Sequence, residues 1–233
     1  MKALAVVSAA LLALRLYAAT QVGFGDSEAL YASWALHPQP AYLDHPGLVG
    51  LVARAIGHGA APTPLQTHVV TALVATLVPW LVVGAARLLG ATSGPASRAG
   101  LVVALTPEFA VGLFALTPDL LLAPLWLAAL ALAGYGLSAR GGGAGPAAAL
   151  LGAGLLAGVA SAAKVSGLLL FAALTFAYAR AAVSRGEDQR AARSPWPWAG
   201  LLAGAVVVIP IVRYEAALGS PMLRHRLVDT QAS

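Results

Sequence analysis

The scarce charged residues of this chain gather in one short stretch, FGDSEALYASWALHPQPAYLDHPG, at residues 24–47. Asp26 and Glu28 come first, and Asp44 and His45 follow directly before a proline, with tyrosines and a tryptophan between the two pairs. A carboxylate in such a place can act as a general base toward an incoming hydroxyl group. Stability alone does not call for two acids beside aromatic residues in a loop, so the stretch is the strongest candidate for a functional site.

The other candidates lie far along the chain. Asp119 stands in LTPDL, at the first turn of a predicted helix, where it equally well serves the helix dipole alone. Lys164 lies between two apolar runs in GVASAAKVSGLLLF, and a charge in such a place usually faces a cavity or a partner. Arg224 and Arg226 come from the final stretch. Lysine binds phosphate as a point charge and arginine as a planar fork, so these cations predict a phosphate-bearing substrate.

The composition excludes a soluble protein. The 233 residues are 59% hydrophobic and only 10% charged, whereas soluble domains carry about 25% charged residues. The apolar residues come in blocks of about 20, the length that crosses a bilayer as a helix. The net charge of +5 is concentrated in short loops, so no nucleic acid is expected as a partner. Without cysteine the chain has no disulfide and no thiolate metal site.

The hydropathy pattern predicts an all-α membrane protein with about seven transmembrane helices in a single domain over residues 1–233. The predicted helices cover residues 3–20, 65–86, 99–116, 119–138, 146–163, 165–183 and 197–213. Residues 21–64 form the first loop, in which YASWALH and LVGLVARAIGH predict two short helices at the membrane interface. The first twenty residues also resemble a signal peptide, but Arg15 interrupts their apolar core, which favours a retained helix.

The loop charges predict the orientation. If the predicted helices alternate in direction, one side of the membrane receives a basic residue in every short loop, namely Lys2, Arg87, Arg98, Arg140, Arg180, Arg185, Arg190 and Arg193. By the positive-inside rule this side and the N-terminus are cytoplasmic. The loop of residues 21–64, the TPD turn and Lys164 then lie on the outer face, and we expect a bacterial-type inner membrane.

A site that combines an acid, a phosphate-binding cation and the membrane interface fits one substrate class well. Lipid-linked sugar phosphates keep a polyprenyl tail in the bilayer and a phosphate at its surface. The residues therefore predict transfer of a sugar to an acceptor hydroxyl, with a lipid phosphate as leaving group. The hydroxyl belongs to a glycolipid, a glycan or a protein, and membrane lipids surround the chain.

The order of these motifs resembles the membrane-embedded GT-C glycosyltransferases of the dolichyl-phosphate-mannose protein mannosyltransferase type, and within them the bacterial branch of the aminoarabinose transferases. The matching stretches are GDSEALYASWA, YLDHPGLVGLV, LTPDLLLAPLWLAAL, GLLAGVASAAKVSGLLL and LGSPMLRHRLV. They run from about residue 20 to residue 230. Family enzymes are longer, so the chain is expected to be the N-terminal part of one, and its DHPG has one proline where the family usually has two.

The resemblance implies a GT-C-like fold and an inverting reaction, in which the hydroxyl attacks the anomeric carbon and polyprenyl phosphate leaves. It implies that Asp26 is the catalytic acid that engages the acceptor hydroxyl, with Glu28 as its catalytic neighbour. It implies that Lys164 contacts the donor phosphate, that Asp119 is a conformational or site-supporting carboxylate, and that Asp44 and His45 lie in the second outer loop that shapes the site. Together with Arg224 and Arg226, predicted above from their charge, these are the candidate substrate-binding residues. Asp44 and His45 contribute to a metal site in some family members, so a divalent metal stays open here, and no redox cofactor is expected.

A non-catalytic membrane protein is the alternative: a transporter or flippase of lipid-linked sugars, an accessory subunit or a truncated inactive copy. A transporter typically carries charges near the membrane midplane and repeated halves. In this sequence the ionisable residues gather near the predicted outer interface and no internal repeat is visible, which favours the enzyme.

Overall fold

The computed structural model describes residues 1–138, 143–183 and 190–228, and only the backbone of Arg190, Arg226 and Leu227. This described part contains helices and no β-strand; an isolated antiparallel bridge pairs Ala41 with Pro46. The chain divides into two compact units, Met1–Pro38 with Val49–Leu127 and Gln39–Leu48 with Ala128–Ser233. Each unit has its own hydrophobic cluster. A single domain over residues 1–233 stays a prediction.

The first unit is built on two antiparallel helices, α1 (Lys2–Ala19) and α4 (Pro64–Leu88). Two short helices, α2 (Asp26–Ser33) and α3 (Leu48–Ile56), lie between them in the chain. Helix α3 matches the predicted helix LVGLVARAIGH, whereas α2 begins five residues before the predicted YASWALH and ends at its third residue. Helix α4 begins where Thr63 and Gln66 cap each other: the Thr63 hydroxyl accepts from the Gln66 amide at 3.3 Å, and the Gln66 side chain accepts from the Thr63 amide at 2.9 Å.

Helix α5 (Ser93–Leu105) packs against both long helices of the first unit. Leu4, Val83, Ala96 and Ala104 form the buried cluster between the three helices. The approach is close because Gly100 has no side chain: a Cβ at this position would lie 2.8 Å from the carbonyl oxygen of Pro79. Small residues at helix contacts are typical of membrane proteins, in which close packing holds helices together.

The third predicted helix, 99–116, does not run straight. Helix α5 ends at Leu105, and α6 (Pro107–Ala110) and a 3₁₀ turn (Gly112–Phe114) follow at a bend of 73°. The cause is Pro107, which lacks an amide donor and forces Thr106 into an extended conformation with ψ of 126°. Continuous hydropathy concealed this break. Helix α7 (Pro118–Ser138) then begins in the first unit and ends in the second.

The second unit contains α8 (Ala144–Ala163), α9 (Gly167–Val183), α10 (Arg190–Arg193), α11 (Pro195–Ala217) and α12 (Pro221–Leu227). Helices α8 and α11 run parallel and touch through backbone. A Cβ on Gly158 would lie 2.3 Å from the carbonyl oxygen of Gly204, and one on Gly154 would lie 2.3 Å from the carbonyl carbon of Gly200. Gly167 brings the start of α9 equally close to Ala160.

An all-α membrane protein is therefore confirmed, but the number of seven transmembrane helices is not. In the described part, five helices are long and apolar enough to cross a membrane, α1, α4, α7, α8 and α11. The bent pair of α5 and α6 counts as a sixth only if it forms one broken span. Helix α9 is apolar but has 17 residues, which is shorter than a typical span of about 20.

Candidate functional site

Asp26 is the first residue of α2, and its side chain is exposed. The helix starts here because Gly25 is extended, with φ of −73° and ψ of 165°. A carboxylate in the first turn interacts favourably with the helix dipole. Asp26 makes no hydrogen bond or ion pair with the residues that the structure describes. The carboxylate is therefore open to an incoming molecule.

Glu28 lies on the same helix and is buried, with 8% of the residue exposed. Its Oε1 accepts a hydrogen bond from the Leu116 amide at 2.8 Å, and its Oε2 accepts one from the Gly25 amide at 3.3 Å. His68 Nε2 lies 3.2 Å from Oε1. Glu28 thus joins α2 to α4 and to the segment that leads into α7. These contacts indicate a positioning role for Glu28.

His68, which contacts Glu28, is a residue of this site that was not singled out from the sequence. Only 1% of it is exposed, and its ring lies 4.7 Å from that of Phe114 and 5.9 Å from that of Phe24. A carboxylate only accepts, so His68 carries a proton on Nε2 when it binds Glu28. The available signal was a histidine one turn inside a long apolar helix, where a polar group needs a partner.

Asp119 lies in the first turn of α7 and is exposed. Thr117 starts this helix, since its hydroxyl and its carbonyl oxygen both accept from the Leu120 amide, at 3.4 and 3.2 Å. Leu116, the residue held by Glu28, comes directly before Thr117. The structure therefore places Asp26 and Asp119 at the starts of two helices whose leading segments meet on the Glu28 carboxylate.

Asp44 and His45 lie in the second unit, on a loop closed by its own backbone. The Tyr42 amide donates to the His45 carbonyl at 2.9 Å, and the Gly47 amide donates to the Pro40 carbonyl at 2.8 Å. His45 is buried, and Asp44 Oδ1 lies 3.5 Å from Nε2 of His225 on α12. These closures give the loop a fixed shape although it has one proline where two were expected.

Tyr42 and Tyr214 add two phenols to this loop region. Burial raises the pKa of the Tyr42 phenol, the hydrogen bond from the Gln39 amide partly opposes that change, and the nearby Tyr214 phenol adds to it. Tyr42 therefore stays protonated at neutral pH. The Tyr214 hydroxyl donates to the Gln39 side chain at 2.7 Å, which ties the loop to α11.

Lys164 follows the last residue of α8 and is half-buried. Its backbone is extended, with φ of −152° and ψ of 144°, and its carbonyl accepts from the Gly167 amide at 2.8 Å. A cation at the C-terminal end of a helix is favoured by the dipole. Its neighbour Val165 lines a cavity of about 130 Å³ together with Ser161, Ile211 and Glu215. Lys164 thus adjoins, through Val165, a small and partly open cavity within the second unit.

The predicted arginines stand on α12, which a second buried acid holds in place. Glu215 is 3% exposed and accepts from the amides of Met222 at 3.0 Å and Leu223 at 3.2 Å. Arg224 is exposed on this helix, whereas the side chain of Arg226 lies outside the described residues. Glu215 was not singled out from the sequence, since neither the end of α11 nor the start of α12 could be fixed from hydropathy.

The predicted site residues therefore fall into two groups. Asp26, Glu28 and Asp119 belong to the first unit, and Asp44, His45, Lys164 and the two arginines belong to the second. In the described part of the chain, no three His, Asp or Glu side chains are grouped so that they could hold a metal ion. The sequence left a metal open, and that question stays open.

Long apolar helices define the protein as an integral membrane protein. The family model of dolichyl-phosphate-mannose-protein mannosyltransferases matches residues 44–214, so the chain belongs to that family, and the predicted family resemblance is confirmed. The matched range includes Asp44, His45, Asp119 and Lys164. Asp26, Glu28, Arg224 and Arg226 lie outside it.

One solved structure shares the fold, that of the S. cerevisiae protein O-mannosyltransferase Pmt1-Pmt2 complex bound to the sugar donor. The TM-score is 0.67 at 16% sequence identity, over 91% of this chain and 33% of the yeast chain. The present chain thus spans a third of that relative. No curated protein matches this sequence.

Proposed function

We propose that this chain transfers a sugar from a polyprenyl-phosphate-linked donor to an acceptor hydroxyl, with inversion at the anomeric carbon. The observation that carries the proposal is the exposed carboxylate of Asp26 at the start of α2, a helix that the buried Glu28 ties to Leu116 and His68, in a chain of the mannosyltransferase family. An exposed carboxylate on a helix whose start is held in place can accept the proton of an incoming hydroxyl as a general base.

In the proposed reaction, Asp26 accepts the proton of the acceptor hydroxyl while the hydroxyl oxygen attacks the anomeric carbon. The bond from that carbon to the phosphate oxygen breaks on the opposite face, and polyprenyl phosphate leaves. One displacement of this kind inverts the anomeric centre. General base catalysis by a side chain contributes about 10²–10⁴-fold to the rate.

Glu28 serves this reaction by positioning rather than by proton transfer. Its two oxygens already accept from Leu116, Gly25 and His68, so it has little capacity left for a substrate. Asp119, exposed at the start of α7, supports the acceptor side of the site. Of the two acids predicted to be catalytic, Asp26 is therefore the proposed general base and Glu28 a positioning residue.

The second unit supplies the phosphate-binding residues in this proposal. Lys164 binds the donor phosphate as a point charge, and Arg224 and Arg226 contribute forked donors from α12. Asp44 and His45 contribute to donor binding from the loop that the Tyr42–His45 and Gly47–Pro40 hydrogen bonds close. The 130 Å³ cavity beside Val165 is lined largely by apolar side chains, which suits the lipid end of such a donor better than its sugar.

We place the reaction at the outer face of a bacterial-type inner membrane, with the N-terminus in the cytoplasm. The support is the loop charge: Lys2, Arg87 and Arg98 mark one side, and Asp26 and Asp44 lie on the other when the helices alternate. The acceptor is a hydroxyl of a glycolipid, a glycan or a protein.

The test compares Asp26→Asn with Glu108→Gln, which changes an exposed acid elsewhere in the same unit. Dolichyl-phosphate-mannose, the donor in the family's name, is the probe, in liposomes that contain the purified chain and a panel of hydroxyl acceptors. We expect Asp26→Asn to lower turnover about 10²–10⁴-fold while donor binding is kept, and Glu108→Gln to retain turnover.

The donor arm uses Lys164→Ala, which should weaken binding of the same donor by about 1.5–3 kcal/mol, the worth of a charge-assisted hydrogen bond. Near-normal turnover of Asp26→Asn would refute the role of this acid. Donor binding by the unmodified chain with no transfer to any acceptor would favour the non-catalytic alternative.

A further inference from the structure

Arg15 is a buried charge inside an apolar helix, and the proposed reaction does not use it. Only 6% of the residue is exposed. It lies four residues before the end of α1, which is about 6 Å along the axis at 1.5 Å per residue. A charged side chain within a membrane helix is costly and usually has a specific partner, so its contacts should reveal why it is present.

The guanidinium of Arg15 binds backbone carbonyls of the broken span. Its Nε donates to the Ala110 carbonyl at 3.1 Å, and its Nη2 donates to the carbonyls of Phe109 and Ala110, both at 2.9 Å. Its Nη1 donates to the Thr76 hydroxyl on α4 at 3.0 Å. Among the described residues no carboxylate forms an ion pair with it. The Arg15 guanidinium therefore caps the C-terminal end of α6 by donating to its last carbonyl groups.

The segment of residues 106–117 needs such donors because its helix is interrupted. Carbonyl groups released by a break must find donors inside the protein when the chain is surrounded by lipid. Arg15 supplies them at Phe109 and Ala110, and the Thr71 hydroxyl supplies one at Phe114. Near the end of the segment the backbone is the donor and no longer the acceptor, since the Leu116 amide donates to Glu28. Three side chains from three helices thus hold one irregular segment.

We propose that Arg15 is a positioning residue for the transfer reaction. By fixing Phe109 and Ala110, it sets where the segment ends, and so keeps the Leu116 amide on Glu28. Glu28 in turn fixes the start of α2, which bears Asp26, and the approach to α7, which bears Asp119. The link to turnover rests on the proposed function, whereas the hold on the segment does not.

Arginine is the residue that this place requires. Its planar fork donates to two successive carbonyls and to a hydroxyl at once, whereas a lysine has one nitrogen and cannot keep this geometry. A shift of about 1 Å in catalytic groups can cost 10²-fold in rate. Substrate binding should change less, because the proposed donor-binding residues belong to the second unit.

The test uses Arg15→Met and Arg15→Lys in the purified chain in lipid nanodiscs. Methionine makes α1 more apolar and so favours insertion, which separates a positioning effect from a failure to fold. The matched control is Trp80→Phe, which removes the other hydrogen bond between α1 and α4, from the Trp80 indole to the Ser8 hydroxyl at 3.1 Å. The readouts are hydrogen exchange and the separate values of kcat and KM.

We expect amide exchange in residues 106–117 and 24–33 to rise about tenfold or more in Arg15→Met, as loss of charge-assisted hydrogen bonds predicts, with residues 144–163 unchanged. We expect kcat to fall about 10²-fold at nearly constant KM for the donor. Arg15→Lys should recover part of both effects, and Trp80→Phe should show neither.

Unchanged exchange in residues 106–117 of Arg15→Met would overturn the proposal. A loosened segment with normal kcat would overturn it as well, because the segment would then not govern the site. If the unmodified chain transfers no sugar, the proposed function fails, and the exchange measurement still decides whether Arg15 holds the segment.

Discussion

Replacement of Glu28 by glutamine should destabilise the protein more than replacement of the adjacent acid, Asp26, by asparagine. The carboxylate of Glu28 accepts from Leu116 at 2.8 Å, His68 at 3.2 Å and Gly25 at 3.3 Å. Glutamine offers one acceptor oxygen. That oxygen can keep Leu116 and His68, which share Oε1, but the amide group then faces the Gly25 amide, donor against donor.

The magnitude follows from these contacts. Glu28→Gln loses one charge-assisted hydrogen bond and leaves a donor unpaired, at a cost of about 1.5–3 kcal/mol. For a chain of this size each kcal/mol lowers the melting temperature by about 2–4 °C, so the expected fall is about 3–12 °C. Asp26→Asn changes an exposed residue that has no hydrogen bond or ion pair among the described residues, so the change should stay within about 0.5 kcal/mol.

The assay is thermal unfolding in detergent micelles, followed by far-ultraviolet circular dichroism of the helices. A double-mutant cycle with His68→Gln should give a coupling energy of about 0.5–3 kcal/mol between Glu28 and His68. Activity should show the opposite order to stability. At a temperature below both melting temperatures, Glu28→Gln should retain more turnover than Asp26→Asn. Equal melting temperatures for the two variants would refute the assignment of Glu28 as the buried link of the site.

Two further predictions concern orientation and helix packing. In this cysteine-free chain, Ser27→Cys should react with an impermeant thiol reagent in intact cells and Ser93→Cys only after permeabilisation, because the basic loops mark the cytoplasmic side; equal labelling would contradict the orientation. Gly158→Ala should destabilise by about 1–3 kcal/mol, since its Cβ would lie 2.3 Å from the Gly204 carbonyl oxygen. Gly84→Ala, with nothing within 4 Å of its Cβ, should leave the stability unchanged or raise it by up to about 1 kcal/mol. If Gly158→Ala melts no lower than Gly84→Ala, the close packing of α8 against α11 is contradicted.

The membrane class and most helices could be predicted from the sequence, because apolar blocks of sufficient length have few alternatives. Helices α1, α4 and α7 begin and end within a few residues of their predicted bounds. The sequence signal for the break is the proline that follows Thr106. A hydropathy average over about 20 residues does not register a single such position. The bend could have been predicted from the conformational restriction of a residue before proline, but not from hydropathy.

The candidate site divides in the same way. Asp26 and Lys164 stood out because their types contrast with their surroundings, and such a contrast is local. The partners of Glu28 lie 40 and 88 residues away, at His68 and Leu116, and no spacing in the sequence indicates that contact. Arg15 was noticed only as an interruption of an apolar run, since its acceptors are backbone carbonyls, which carry no signature of residue type.

The contact between Glu28 and Leu116 also has a consequence for biogenesis. A ribosome that adds about 5–20 residues per second needs roughly 4–18 s to make the 88 residues that separate them. Throughout that interval α2 exists without the donor that anchors its carboxylate to the segment before α7. The site therefore cannot mature with the first loop; it assembles only after α4, α5 and the broken segment have emerged and inserted. An error in inserting that segment would leave Glu28 with Gly25 and His68 but without the Leu116 amide, so that α2 would form without its tie to α7.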